Sequence, residues 1–263
     1  MHPIVTSQQN PKIKNVLALE KARTRRLQQA FVIEGQQEIA MAIQAGYQLT
    51  SVFFSPALIS TDDVSALIAN ESLLIPVQQN VFEKMAYREG SGGIIAIAKQ
   101  KQHDLEDLRL SKNPLVLILE SVEKPGNLGA ILRTADAANL DGVIICDPQT
   151  DFYNPNVIRA SVGCVFTTPL AVASSETTRT WLTKNNIRCL ATHLEAARPY
   201  YREDLRGPTA IVMGTESTGI SDDWVKYAST TIIIPMQGKI DSLNVSNAAA
   251  IIVFEANRQR DLT

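Results

Sequence analysis

The stretch IIIPMQGKIDSLNVSNAAAIIVFEANRQR, residues 232–260, constrains the fold more than any other part of the chain. A β-branched run over 230–234 stops at Pro235, whose fixed φ and missing N–H end a strand. Residues 236–241 form a loop with one glycine. Ser242 then stands as the N-cap of a helix over 243–257, with Val245, Ala249, Ile252, Val253 and Ala256 in one apolar stripe. Ala248, Ala249 and Ala250 leave little side chain between this helix and its neighbour. Ser242, Asn244, Ser246 and Asn247 crowd its first turns, where free backbone N–H groups and the positive dipole end favour a polar ligand. Plain capping of a core helix explains them equally well.

The rest of the chain supplies the frame for such a helix. Strands are expected at 31–33, 51–54, 73–76 and 93–98, alternating with helices over 10–29, 36–45, 63–70 and 79–85. That alternation describes a small α/β sandwich of residues 1–100. The polar segment 101–113, KQHDLEDLRLSKN, reads as a linker. Apolar runs at 115–119, 142–146, 169–172, 188–192, 210–213 and 230–234 suit a mostly parallel sheet in a second domain, residues 114–263. Helices at about 125–139, 154–162, 176–185 and 222–227 connect them.

Composition excludes some functions. At 263 residues, with 45% hydrophobic and 20% charged side chains, the chain can bury real cores, and no apolar run has the length of a membrane span. The N-terminal stretch lacks a signal peptide's apolar centre, so a cytoplasmic protein is expected. Cys146, Cys164 and Cys189 are far apart, without a CxxC or paired histidines, and read as structural thiols; no metal is expected. The net charge of -2 gives no overall nucleic-acid signal, yet Lys12, Lys14, Lys21, Arg23, Arg25 and Arg26 face only Glu20 within the first 30 residues. Such a cluster suits RNA phosphates, although many basic helix faces are simply solvated.

In an open parallel sheet, ligands bind beyond the carboxyl ends of the strands. Three strands here end in glycine-bearing polar loops, at 120–129, 214–221 and 235–243. Gly126-Asn-Leu-Gly129 does not form a GxGxxG, and no acidic residue follows at the required distance, which argues against a dinucleotide fold. Instead PGNLGAILRTA at 125–135, IVMGTESTGIS at 211–221, and IPMQG at 234–238 with SLNVS at 242–246 resemble the three motifs of the SpoU/TrmH-type RNA 2'-O-methyltransferases, in the family's order and spacing. FVIEG at 31–35 resembles the start of that family's ribosomal-protein-like substrate-binding domain, so the likeness spans nearly the whole chain. Thr215 stands where many relatives carry Asn, and Asn247 where many carry an apolar residue.

The resemblance implies a C-terminal trefoil-knotted α/β methyltransferase domain behind the α/β sandwich, a homodimer, and S-adenosylmethionine as cofactor. It implies a cofactor site at Met213, Gly214, Ile234, Met236, Ser242 and Leu243, where Ile234 and Leu243 are also plain core candidates. It implies catalytic roles for Asn127, Arg133, Glu216 and Asn244. Turn formation is a rival account of Asn127, as capping is of Glu216. Arginine is effectively always protonated, so Arg133 as a base would need a strongly perturbed guanidinium; a charged Arg133 that holds phosphate and stabilises a developing alkoxide is the better fit. The expected substrate is structured RNA, rRNA first and tRNA as the alternative. A non-catalytic RNA-binding or assembly factor and a base methyltransferase are the competing readings.

Overall fold

The structure is a computed structural model that describes residues 2–87, 92–196, 198–215 and 218–261. It forms two compact units, Met1–Gln102 with Asp151–Thr167, and His103–Thr150 with Thr168–Thr263. The polar segment expected as a linker therefore folds as part of the second unit from His103 onward. The reason is visible in its apolar residues. Leu105 and Leu108 are buried in that unit's core, and the His103 carbonyl accepts the Val172 N–H at 2.8 Å.

The first unit runs α1 (Pro11–Ala18), α2 (Ala22–Gln28), β1 (Ala30–Glu34), α3 (Gln36–Gln44), β2 (Leu49–Phe54), α4 (Thr61–Leu67), β3 (Leu74–Pro76), α5 (Gln79–Met85) and β4 (Ile94–Lys99). Its sheet has the order β1-β4-β2-β3, with β4 antiparallel to both neighbours and β2 parallel to β3. Ile13, Val16 and Leu19 pack with Phe53, Ile75, Val81 and Phe82 in one buried cluster. Phe31 stacks on Tyr153, with ring centroids 4.1 Å apart, and both meet Tyr47 edge-on.

The single basic helix expected over 10–29 is two helices. The break at residues 19–21 has a cause in Arg25, which turns inward instead of facing solvent and is 1% exposed. Its guanidinium donates to the carbonyls of Leu19 (2.8 Å) and Glu20 (2.7 Å), the residues that leave α1, and to Asp151 at 2.7 Å. Arg25 thus leaves the RNA-facing candidates, whereas Lys12, Lys14, Lys21, Arg23 and Arg26 are exposed.

The second unit runs β5 (Leu115–Glu120), α6 (Pro125–Ala137) and β6 (Gly142–Cys146); after α7 (Pro155–Ala160) and α8 (Cys164–Thr167), which belong to the first unit, come β7 (Leu170–Ala173), α9 (Ser175–Lys184), β8 (Arg188–Thr192), β9 (Arg198–Pro199), β10 (Thr209–Met213), α10 (Asp222–Tyr227), β11 (Thr230–Ile233) and α11 (Val245–Asp261). The sheet order is β7-β6-β5-β10-β8-β11-β9, and every neighbouring pair is parallel. The central strands are buried on both faces, as their unbroken apolar runs require. Val116, Ile118, Val212, Trp181 and Trp224 fill one side, and α11 packs on α6.

Cys146 and Cys189 are buried in this core, where desolvation pushes their thiols up to about 11 and about 12, as expected of structural rather than reactive cysteines. Among the described residues, no group of three or more His, Cys, Asp or Glu could hold a metal ion, and no helix is long and apolar enough to cross a membrane.

Replacing Arg25 by Ala would strand the Leu19 and Glu20 carbonyls and leave the Asp151 carboxylate with the Tyr153 N–H and solvent. The expected loss is about 2–4 kcal/mol of stability, discounted because Asp151 is partly exposed. Chemical denaturation of the variant against the parent measures it, and an unchanged midpoint would mean that water replaces the guanidinium without cost.

Candidate active site

Four adjacent strands, β5, β10, β8 and β11, end at the same edge of the second sheet, so the loops that follow them are brought together by strand pairing alone. The loop after β10 has the tightest geometry. A Cβ added to Gly214 would lie 2.0 Å from the Gly219 carbonyl oxygen and 2.5 Å from the Ile220 nitrogen, both backbone atoms that cannot swing aside. Thr215 and Gly219 exchange backbone hydrogen bonds of 3.0 and 3.2 Å, with Gly219 at φ +69°. The Thr215 hydroxyl accepts the Thr218 N–H at 2.9 Å and lies 2.8 Å from the Thr218 hydroxyl. Thr215 thus closes the turn with its own side chain. Glu216 lies outside the described residues.

Beside this turn is a cleft of about 530 Å³, within the usual size range of small-molecule sites. All six expected cofactor residues line it: Met213, Gly214, Ile234, Met236, Ser242 and Leu243. Ile232, Ile233 and Ile252 add apolar wall, and Ala248 keeps α11 from filling the space. From residue 236 to residue 243 no backbone group enters a backbone–backbone hydrogen bond among the described residues, so this loop can offer its amides and carbonyls to a ligand.

A second, smaller recess adjoins the first and is lined by Val122, Glu123, Lys124, Asn127, Gly214, Thr215 and Val245. Gly214, Thr215 and Val245 border both spaces, which makes the β10 turn a thin wall between them. Across this region the Asn244 amide donates to the Asn127 side-chain oxygen at 3.1 Å, joining the first and third motifs. Asn244 also accepts from the Ser246 N–H (2.9 Å) and hydroxyl (2.6 Å), so it, and not Ser242, caps α11, which starts at Val245. Ser242 donates to Asp241 instead, at 2.9 Å. Arg133 is exposed on α6, makes no hydrogen bond or ion pair with the described residues, and lines neither space.

Two features escaped the sequence reading. The end of β8 contributes Thr192 to the cleft, and the loop after it His193, Leu194 and Glu195; this loop has no glycine to draw notice, and the signal that could have found it is the parallel position of its strand beside β10. Glu120, buried at the end of β5, accepts the Ser221 N–H at 2.7 Å and so ties the first loop to the end of the second.

A cleft at the carboxyl edge of a parallel sheet, walled by a glycine turn and a loop of free backbone groups, defines a small-molecule-binding α/β domain, and comparison with known proteins gives its family. Residues 114–254 match the SpoU rRNA Methylase family and residues 10–96 match the MRM3-like substrate binding domain. The chain belongs to the SpoU rRNA methylase family. It is 37% identical over 191 residues to the 23S rRNA (guanosine-2'-O-)-methyltransferase RlmB of Haemophilus influenzae, covering 70% of this chain and 78% of that protein. The solved structure of an RNA 2'-O ribose methyltransferase is similar over 98% of this chain and 99% of its own, at 38% identity and a TM-score of 0.86. The AdoMet-bound rRNA methyltransferase from Sinorhizobium meliloti is similar over 97% of each chain, at 31% identity and a TM-score of 0.89.

Gly214→Ala is expected to force the β10 turn open and to cost about 1–3 kcal/mol, since the added methyl meets backbone rather than a flexible side chain. Thermal denaturation tests this, and a parental midpoint would mean that the turn at Gly219 relaxes freely.

Proposed function

We propose that this protein transfers a methyl group from S-adenosylmethionine to a ribose 2'-hydroxyl of 23S rRNA in the cytoplasm. The observation that carries the reading is the pair of adjoining spaces separated by Gly214 and Thr215, one fit for a donor and one for an acceptor, with Asn127 and Asn244 joined beside them. The names of the relatives supply the chemistry and the RNA.

The cleft fits the proposed cofactor. Ile232, Ile234, Leu243 and Ile252 offer the apolar surface that an adenine requires, and the free backbone groups of 236–243 can read its edge. When bound, S-adenosylmethionine supplies an electrophilic methyl on a sulfonium. Most of the help that the protein gives such a transfer is positioning, for which up to about 7–11 kcal/mol is available in well-oriented systems. Asn127 and Asn244 are neutral amides suited to holding a sugar without competing for its proton. The role we give Arg133 is to hold phosphate and stabilise negative charge on the attacking oxygen. Glu216 is kept as a residue that orients this arginine.

Arg133 lines neither space within one chain, which supports a site completed in a homodimer. The α11 face that leaves Ile251 and Phe254 exposed supports the same reading, because large apolar side chains on one helix face suit a partner surface. The close association of α11 with α6, and the Asn244–Asn127 bond, are in keeping with the threaded path that the family resemblance implies. We assign RNA binding to the domain of residues 1–100, where Lys12, Lys14, Lys21, Arg23 and Arg26 are exposed, with Arg159 on α7 as a further exposed cation.

The test is incubation with methyl-labelled donor and 23S rRNA, followed by nucleoside analysis. A labelled 2'-O-methylnucleoside is the expected product; label on a base would make this a base methyltransferase, and no label with intact RNA binding would make it an assembly factor. In the same assay Arg133→Ala is expected to lower turnover at least 100-fold with donor affinity within about threefold of the parent, the pattern of lost transition-state stabilisation. Near-parental turnover would remove Arg133 from the mechanism.

Substituting Lys12, Lys14, Arg23 and Arg26 together by Ala should weaken RNA binding and flatten its dependence on salt, by a slope of about 0.7–0.9 for each phosphate that is no longer neutralised. Donor affinity, measured alongside, should stay unchanged. An unchanged salt slope would put the RNA surface elsewhere.

A further inference from the structure

The cleft carries a charge that the proposed reaction leaves unexplained. Among the described residues that line it, Glu195 and Asp241 are carboxylates, and there is no Lys or Arg. They come from different loops, Glu195 after β8 and Asp241 after β11. The Glu195 carboxylate has no hydrogen bond or ion pair among the described residues, and Asp241 is engaged only by the hydroxyl of its neighbour Ser242, at 2.9 Å. His193, the remaining titratable side chain of the lining, accepts the Glu195 N–H on Nδ1 at 3.2 Å. A neutral His193 ring therefore carries its proton on Nε2 and adds no positive charge to offset the pair. Glu195 and Asp241 are both solvent-exposed, so their effect on a ligand in the cleft is that of screened charges that set the sign of the local potential.

Resting on the donor reading above, we propose that Glu195 and Asp241 make this cleft selective for the cationic methyl donor over its neutral-sulfur product. Donor and product carry the same adenosine, ammonium and carboxylate. They differ at sulfur: the S–CH₃ bond breaks, sulfur keeps the electron pair as a thioether, the methyl goes to the sugar oxygen, and the hydroxyl proton leaves with a base. One unit of positive charge is thereby lost from the cleft. A lining with two carboxylates and no Lys or Arg holds the donor more tightly than what remains after transfer, which favours exchange of product for fresh donor. The two residues are specificity determinants in this account, and neither touches the reacting atoms.

The experiment is calorimetric titration of the full chain, parent and Glu195→Gln/Asp241→Asn double variant. The ligands are S-adenosylmethionine, S-adenosylhomocysteine, and sinefungin, in which a carbon bearing an amine replaces the methylsulfonium. Affinity of the variant for the two cationic ligands is expected to fall roughly three- to tenfold at low salt, the size of the attraction between solvated charges about 7 Å apart, and the effect should shrink as salt is raised. Affinity for S-adenosylhomocysteine should change by less than about twofold, which also serves as the control for folding. An equal loss for all three ligands would assign the carboxylates to the shared ammonium or ribose and overturn the proposal, as would no change for any. A parent protein that binds none of the three would sink the donor reading and this inference with it, an outcome told apart by the parent titration alone.

Discussion

The second unit depends on how closely the backbone at Gly214 approaches the backbone at Gly219. No side chain fits between them, and the turn that results is only as thick as a peptide. Because β10 lies between β5 and β8, whatever follows it stands in the middle of the sheet edge, and a bulky loop there would fill the space that both ligands need. The turn is held by groups of three kinds: its own backbone pair at Thr215 and Gly219, the Thr215 hydroxyl, and the buried Glu120 carboxylate on Ser221. The last of these links the height of the β10 turn to the end of β5, from which the Asn127 helix departs. The wall therefore shares an anchor with the loop that leads to the smaller recess.

Much of this was legible in the chain and some was not, for reasons that differ from residue to residue. The strands at 142–146 and 188–192 and the helix at 222–227 coincide with the elements found, because each is an apolar run or amphipathic turn bounded by Gly, Asn, Asp or Ser. The six cleft residues were reached through motif resemblance, which brings in spatial proximity that periodicity cannot encode. Arg25 shows the opposite case. Its neighbours in sequence are basic and exposed, and its inward turn depends on Asp151, 126 residues away. Segment 103–113 was misread because its charges outnumber Leu105 and Leu108, although two leucines three apart are enough to anchor a turn on a core. The Ser242 cap failed at shorter range. Asn244 lies closer to the first helical amide, and its side chain reaches both Ser246 and Asn127.

Asn244 therefore serves the fold directly, and under the proposed mechanism the chemistry as well. Its oxygen starts α11, while its nitrogen is directed to Asn127 on α6, a residue that lines the smaller recess. Of the two accounts of the polar residues at 242–247, capping is what Asn244 does, and its bond to Asn127 leaves room for the proposed ligand role beside it.

Arg133 leads further. A guanidinium that is exposed, has no partner among the described residues and borders neither recess contributes little to the stability of one chain. If it acts on the sugar hydroxyl, as the proposed mechanism requires, something must carry charge and geometry to it: an RNA phosphate, a second copy of the chain, or both. On that mechanism the single chain supplies the cleft and the Asn127–Asn244 pair, and Arg133 joins them only with the RNA or the second copy. The proposed order of events would protect a reactive sulfonium, since Arg133 would meet it only with the substrate or the partner in place, while Glu195 and Asp241 line the cleft that holds it. Under the proposed mechanism donor binding and catalysis are separable: the first rests on the glycine turn and the loops of one sheet edge, the second on Arg133, which borders neither space at that edge.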